Sequence, residues 1–358
     1  MMEISDIREQ ASDIGVFFPL SYETEALGMK GTLHGHSLAN RNVLQMQPLQ
    51  DGDASGAPTA ETIARYQAAV REKQYSIVLL EPAVIADNAR HQVGDLVLNE
   101  KTQAAFTELI SAIKKAAKDA HGTEPLVVAL ISHAGHHALY PVSMEHSPSL
   151  PTDARILTDD ELTAMVIQCG HAAKSAELAG ADGIALNAAD RSLFGESLAA
   201  FHRDGKFGGD FDDRSRFLRD CYTAMKMLTT DKLFYTIRLT LSDGIPQPDG
   251  WGMAFEDSAA PDLYEPALLL KILQALYGVE LVFCTIGIPE INWLLAAEPE
   301  SDLIRLSRMC TCIAMLDSDL QQHVQLVVPE MPTEDIPFAN LASGMIAGEF
   351  ASFGGFLG

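Results

Sequence analysis

Eight short apolar runs alternate with amphipathic segments along most of this chain, and that alternation restricts the folds open to it. Asn40–Met46, Tyr75–Leu80, Pro125–Ser132, Gly183–Leu186, Leu233–Leu241, Leu281–Ile286, Val324–Val328 and Phe350–Phe356 each read as a strand. They are nearly continuous in apolar residues, which is the pattern of strands buried on both faces. Between them lie segments of helical period: 59–73, 99–121, 158–179, 216–230, 266–277, 302–319 and 337–346. Thr158-Asp159-Asp160-Glu161 is a helix-start signature, and Gly122, Gly180 and Gly278 are stop signals. Strands alternating with helices require a parallel sheet, and eight of them favour a closed barrel over an open sheet. The expectation is an α/β protein with a single (β/α)8 TIM barrel of parallel strands over residues 37–358, after a lead-in of residues 1–36. No helical segment follows the eighth strand.

The chain has 358 residues and is 47% hydrophobic, enough for one large core. Its net charge of −24 comes without any Lys/Arg block, which argues against nucleic acid or an anionic membrane as partner. The start, MMEISDIREQ, lacks the basic and apolar regions of a signal peptide, and no apolar run reaches the length of a membrane span. The five cysteines form no framework and read as buried, reduced thiols, so a cytoplasmic protein is expected. His34 and His36 read as part of an exposed turn.

The longest polar loop follows the fourth strand. It carries Asn187, Asp190, Arg191, Ser192, Glu196, His202 and Arg203 before a helix that opens on Asp212-Asp213. In a barrel, chemistry sits on the loops after the strands. His133, His136 and His137 cluster after the third strand. They are a candidate transition-metal set with Asp190 or Glu81 as a carboxylate partner, although neighbouring side chains on an irregular segment commonly diverge, and no metal is assigned. Trp251, Phe255 and Tyr264 after the fifth strand either wall a pocket over the barrel mouth or pack a long loop onto its rim.

The order of residues from Ala181 to Leu218 resembles the matching loop of the old yellow enzyme family, the FMN-dependent NADH:flavin oxidoreductases. Asp182-Gly183, Leu193, Gly208-Gly209, Arg214 and Arg216-Phe217 fall in register with it. Leu38-Ala39-Asn40-Arg41, Asp51-Gly52, Pro58-Thr59, Arg65-Tyr66, Leu79–Val84, His133-Ala134-Gly135, Arg238-Leu239, Asp243–Pro246, Gly250-Trp251-Gly252, Ile286–Pro289 and Ala351–Phe356 extend the resemblance, in order, over residues 37–358.

The resemblance implies an FMN lying across the barrel mouth. A nicotinamide, NADH or NADPH, reduces it, and a small-molecule activated alkene accepts the hydride. The cofactor carries the hydride chemistry and the protein supplies binding, orientation and charge stabilisation. It also implies positions: Met46, Gln47, Glu81, Leu130, His133, Arg238 and Gly355 at the cofactor, and Asn187, Asp190 and Ser192 as the catalytic set. The residue types depart from the family pattern. Asn187 and Asp190 stand where the family places two donors to the substrate carbonyl, and an ionised aspartate only accepts. Ser192 stands where the family has a tyrosine acid. Leu130 replaces a glutamine. Pro329-Glu330-Met331 replaces a glycine-rich phosphate loop, and Leu357-Gly358 replaces a Gly-Arg pair. Two readings follow: an FMN-dependent oxidoreductase with an altered active site, and a divergent barrel that has lost FMN and serves as a binding or structural subunit or in non-redox chemistry. A metal-assisted lyase or hydrolase built on the histidine cluster is a third. A homo-oligomer or a partner subunit is open in each.

Overall fold

The computed structural model describes residues 28–46, 48–148, 153–255, 260–288, 311–316, 325–328 and 345–347, with isolated positions 9, 12, 13, 15 and 320 besides. Three strands open the described chain: β1 (Gly31–Leu33), β2 (His36–Leu38) and β3 (Val43–Gln45). Helix α1 (Ala60–Glu72) and β4 (Ile77–Val84) follow, then β5 (Leu96–Val97), α2 (Gln103–His121) and β6 (Leu126–Ser132). Two short strands, β7 (Val142–Ser143) and β8 (Arg155–Ile156), precede α3 (Asp159–Ala179) and β9 (Gly183–Ala188). The rest is α4 (Leu193–Leu198), α5 (Phe211–Leu228), β10 (Phe234–Thr240), α6 (Tyr264–Tyr277), β11 (Leu281–Thr285), β12 (Gln325–Val328) and β13 (Met345–Ala347).

The helices begin and end where local chemistry dictates. Thr59 and Thr158 cap α1 and α3, each in a reciprocal box with the residue three positions on. Asp210 accepts from the Asp213 N–H, so α5 starts at Phe211, five residues before the expected Arg216. Gly122, Gly180 and Gly278 end α2, α3 and α6 in the left-handed conformation.

The main sheet runs β3-β4-β6-β9-β10-β11-β12-β13, with β5 paired to β4. Every pairing is parallel except β12 with β13, which is antiparallel. The expected parallel α/β barrel architecture is thus present as a curled sheet with helices packed on its outer face. One correction concerns the end of the chain: Met345 and Ile346, expected at the end of a helix, lie in β13, where pairing with Val327 and Val328 satisfies their backbone. The remainder of that segment, the segment 302–310 and the expected strand Phe350–Phe356 lie outside the described residues.

The period-2 alternation of a strand sends side chains to two cores. The outer core joins Val78, Leu80, Val127, Ala129, Ile131, Ile184, Leu186, Ile237, Leu239, Val282 and Cys284 to the helices. The inner core joins Val43, Ile77, Leu79, Val128, Leu130, Ala185, Phe234, Leu281 and Phe283 inside the curl. Leu33 and Leu38 belong to the inner core as well. The β1–β2 hairpin therefore closes the floor of the barrel from below. His34 and Gly35 form its left-handed turn (φ 48° and 77°) and His34 is exposed, as expected of a turn. At Gly183 any Cβ would stand 2.5 Å from the Phe234 ring, so the glycine makes room for that ring at the barrel floor.

Candidate functional site

Alternation along the strands also decides which side chains reach the barrel mouth. Counting by twos from the inner-core residues gives Ser132 on β6, Asn187 on β9, Arg238 and Thr240 on β10, and Thr285 on β11. Strand register sets Asn187 beside Arg238 and Thr240 beside Thr285. These residues form one connected polar network. Asn187 Nδ2 donates to Ser132 Oγ at 3.1 Å, and Asn187 Oδ1 accepts from Arg238 Nη1 at 3.1 Å. The same Arg238 nitrogen meets Asp190 Oδ2 at 2.5 Å. The Asp190 N–H donates to Thr240 Oγ1 at 3.1 Å, and the Thr240 and Thr285 hydroxyls are 2.8 Å apart.

Asp190 reaches Arg238 because the chain turns sharply after β9. Asp190 and Arg191 both adopt left-handed backbone (φ 53° and 50°), a conformation non-glycine residues visit at a cost. The turn is held by the next loop. Arg191 places Nε 3.0 Å and Nη2 2.8 Å from Asp243 Oδ2, and Nη2 also donates to the Asp249 carbonyl at 2.5 Å. Asp243 in addition accepts from the Ile245 and Trp251 N–H groups, both at 2.9 Å. Burial pushes the Asp243 carboxyl above the usual carboxylate range, and the Arg191 guanidinium and the two N–H groups work against that shift. Trp251 is buried and donates Nε1–H to the Thr240 carbonyl at 2.9 Å, so it packs the loop onto the rim. Phe255 and Tyr264 are exposed, with Phe255 edge-on to Phe201 at 6.3 Å.

Among the residues expected at the site, Asn187, Asp190, Arg238 and Leu130 converge on the barrel interior or its mouth. Ser192 lies nearby but is committed locally: its hydroxyl donates to the Asn187 carbonyl and accepts from the Gly195 N–H as the cap of α4. Glu81 falls within a register shift of β4, between Leu79 and Pro82, and pairs with Arg65 of α1 at 2.5 Å. Its N–H donates to the Tyr66 hydroxyl, which anchors α1 to the sheet. Burial raises the Glu81 carboxyl above its ordinary range in spite of Arg65. Met46 packs into the outer core. His133 follows the last residue of β6 and lines a cleft with Met165 and Gln168 of α3. Gln47, Gly355 and the segments 329–331 and 357–358 lie outside the described residues.

The histidine cluster does not converge. The His136 and His137 rings are tilted at 45° with centroids 3.9 Å apart, and His136 faces Glu196 across 3.9 Å from Nδ1 to Oε2, while His133 lines a separate cleft. Among the described residues no group of three or more His, Cys, Asp or Glu is placed to hold a metal ion.

Sequence reasoning missed Ser132, Thr240, Thr285 and Asp243. The first two carried a signal, since Ser132 lies two residues beyond Leu130 and Thr240 two beyond Arg238. Asp243 stood in a segment that carries the family resemblance, Asp243–Pro246, but without a role.

No protein-family model matches the chain. The NADPH dehydrogenase of Bacillus pumilus (strain SAFR-032) is 28% identical over 225 residues, covering 59% of this chain and 62% of that protein. The NADH:acrylate oxidoreductase of Vibrio harveyi is 26% identical over 196 residues, covering 51% of this chain and 19% of that protein. The matches thus span less than two thirds of either relative. Among solved structures, the old yellow enzyme homologue from Zymomonas mobilis superposes with a TM-score of 0.57 at 19% identity, covering 78% of this chain and 79% of that one. The fold is that of the old yellow enzyme barrels.

Proposed function

We propose that this chain, a divergent relative of the old yellow enzyme (NADH:flavin oxidoreductase) family, is an NAD(P)H-dependent flavin oxidoreductase of the ene-reductase type with an altered active site. One observation carries the reading: Arg238 Nε is buried and has no hydrogen-bond partner. A buried guanidinium nitrogen left unpaired costs ~1–3 kcal/mol, and a bound group bringing an acceptor to the mouth removes that cost. The described residues fit FMN to that extent. Arg238 would hold the acceptor edge of the ring system, with Leu130 and Asn187 beside it. Bound FMN supplies hydride transfer to an activated alkene, the small-molecule substrate class that the reading implies.

The chain's own residues set the electrostatics. Arg238 and Asp190 make the mouth close to neutral. Asn187 uses one amide hydrogen on Ser132 and keeps the other for a substrate oxygen. Asp190 Oδ2 is engaged by Arg238, and the Asp190 side chain is itself 31% exposed. An ionised carboxylate at this point opposes an anion and favours a neutral ligand or a donor group. Ser192, spent on its cap, does not serve as a proton source in this reading. A cytoplasmic, barrel-forming segment of residues 37–358 belongs to the same proposal.

The competing reading, a barrel without flavin, is favoured by the Arg238–Asp190 pair, which already neutralises the guanidinium from within. Purified chain incubated with FMN and then desalted separates the two. Retained yellow flavin absorbance, with NADPH or NADH oxidation coupled to a cyclic enone, supports the oxidoreductase. A colourless protein after desalting overturns it.

A further inference from the structure

We infer that a cleft on the outer side of the barrel, separate from its mouth, is a binding site for a small neutral molecule carrying a carbonyl acceptor. The cleft lies between the loop after β6, the segment after β4 and the outer face of α3, and has a volume of about 470 Å³. That is ample for a one-ring compound, since small-molecule sites run from ~300 Å³ upward. Its floor is His133, 2% exposed. The Gly135 N–H donates to His133 Nδ1 at 3.0 Å, so the ring hydrogen sits on Nε2. No described residue accepts from that Nε2. Burial holds the imidazole neutral by lowering its pKa to about 4. The cleft floor therefore offers one fixed, uncharged N–H donor.

The walls define the rest of the ligand. Pro141, Val142, Leu157 and Met165 supply apolar contact, with exposed Tyr140 at the rim. Among the described residues lining the cleft, the one cation, Arg155, is already paired with Glu161 at 2.8 Å. An anion thus finds no free positive charge, and burying it against a neutral imidazole is unfavourable. A ketone or carboxamide on a flat apolar body meets all these requirements. His133 lies just past β6 and lines the cleft with α3, whereas Ser132 meets Asn187 at the mouth, so this site does not depend on flavin binding.

The probe is benzamide, with benzoate as its charged counterpart, titrated into full-length chain labelled with [15N]histidine. The His133 ring signal is identified by its loss in His133→Asn. We expect a saturable shift of the His133 Nε2–H signal with benzamide and none with benzoate. The shift disappears in Met165→Trp and in Ala164→Phe, the latter an exposed position on α3 that alters the cleft without touching the core, and persists in Arg238→Ala at the barrel mouth. No saturable shift with benzamide, an equal shift with benzoate, or a shift that survives both cleft-filling variants overturns the assignment. A shift lost only in Arg238→Ala places the ligand at the mouth and overturns it as well.

Discussion

Replacing Asp243 with alanine tests the claim that one buried ion pair holds the barrel mouth in shape. Arg191 and Asp243 side chains are 4% and 3% exposed. Among the described residues Asp243→Ala leaves the buried Arg191 guanidinium only the Asp249 carbonyl as hydrogen-bond partner, and orphans the Ile245 and Trp251 N–H groups. Breaking a buried pair from one side costs ~3–5 kcal/mol. That is a fifth or more of the ~5–15 kcal/mol that keeps an ordinary domain folded. Removing both charges, in Arg191→Met with Asp243→Leu, leaves no uncompensated ion. Urea unfolding followed by circular dichroism measures each variant. The double variant should lose less than the sum of the two singles, with a coupling of ~1.5 kcal/mol or more. The turn at Asp190 loses its anchor in either single variant, so ligand binding at the mouth should weaken together with stability. A loss below ~1 kcal/mol for Asp243→Ala, or additive single effects, refutes the argument.

Three further outcomes follow from the same structure. Asp190→Asn removes the internal counter-ion of Arg238, so benzoate affinity measured by calorimetry should rise roughly tenfold, as one charge-assisted hydrogen bond of ~1.5–3 kcal/mol allows; unchanged affinity contradicts the neutral-mouth account. His133 has its folded pKa lowered from 6.5 to about 4, so the unfolded chain binds the extra proton between those values. Stability should therefore fall as pH drops from about 6.5 toward 4, by up to ~3 kcal/mol, a limb that His133→Asn flattens in pH-dependent denaturation. Gly183→Ala forces a Cβ against the Phe234 ring and should lower stability by ~1–3 kcal/mol, read as a fall in melting temperature; Phe234→Leu in the same chain should restore part of it.

Much of the fold was legible because its signals are local. Thr59, Thr158, Gly122, Gly180 and Gly278 mark helix ends by chemistry that acts within one turn. The apolar runs announced parallel strands for the same reason. What a continuous apolar run hides is its phase: with both faces buried, nothing in Val127–Ser132 says which residues look inward. His133 was expected at the cofactor, whereas it lines the outer cleft beside α3. Glu81 was hidden by the register shift between Leu79 and Pro82, and its partner Arg65 sits 16 residues earlier. Asn187, Asp190 and Arg238 were legible as a group, but their ion pair was not. It depends on a left-handed turn at Asp190 and Arg191, and that turn is sustained by Asp243, more than 50 residues along the chain.

The central claim is that Arg238 at the barrel mouth awaits the acceptor edge of a flavin. Its most direct test is an FMN titration of wild type and Arg238→Ala, followed by flavin absorbance and fluorescence. The account predicts saturable binding to the wild type, retained through desalting, and weakening of tenfold or more without the guanidinium, as the loss of ~1.5–3 kcal/mol requires. No binding by the wild type, or equal binding by both proteins, contradicts it.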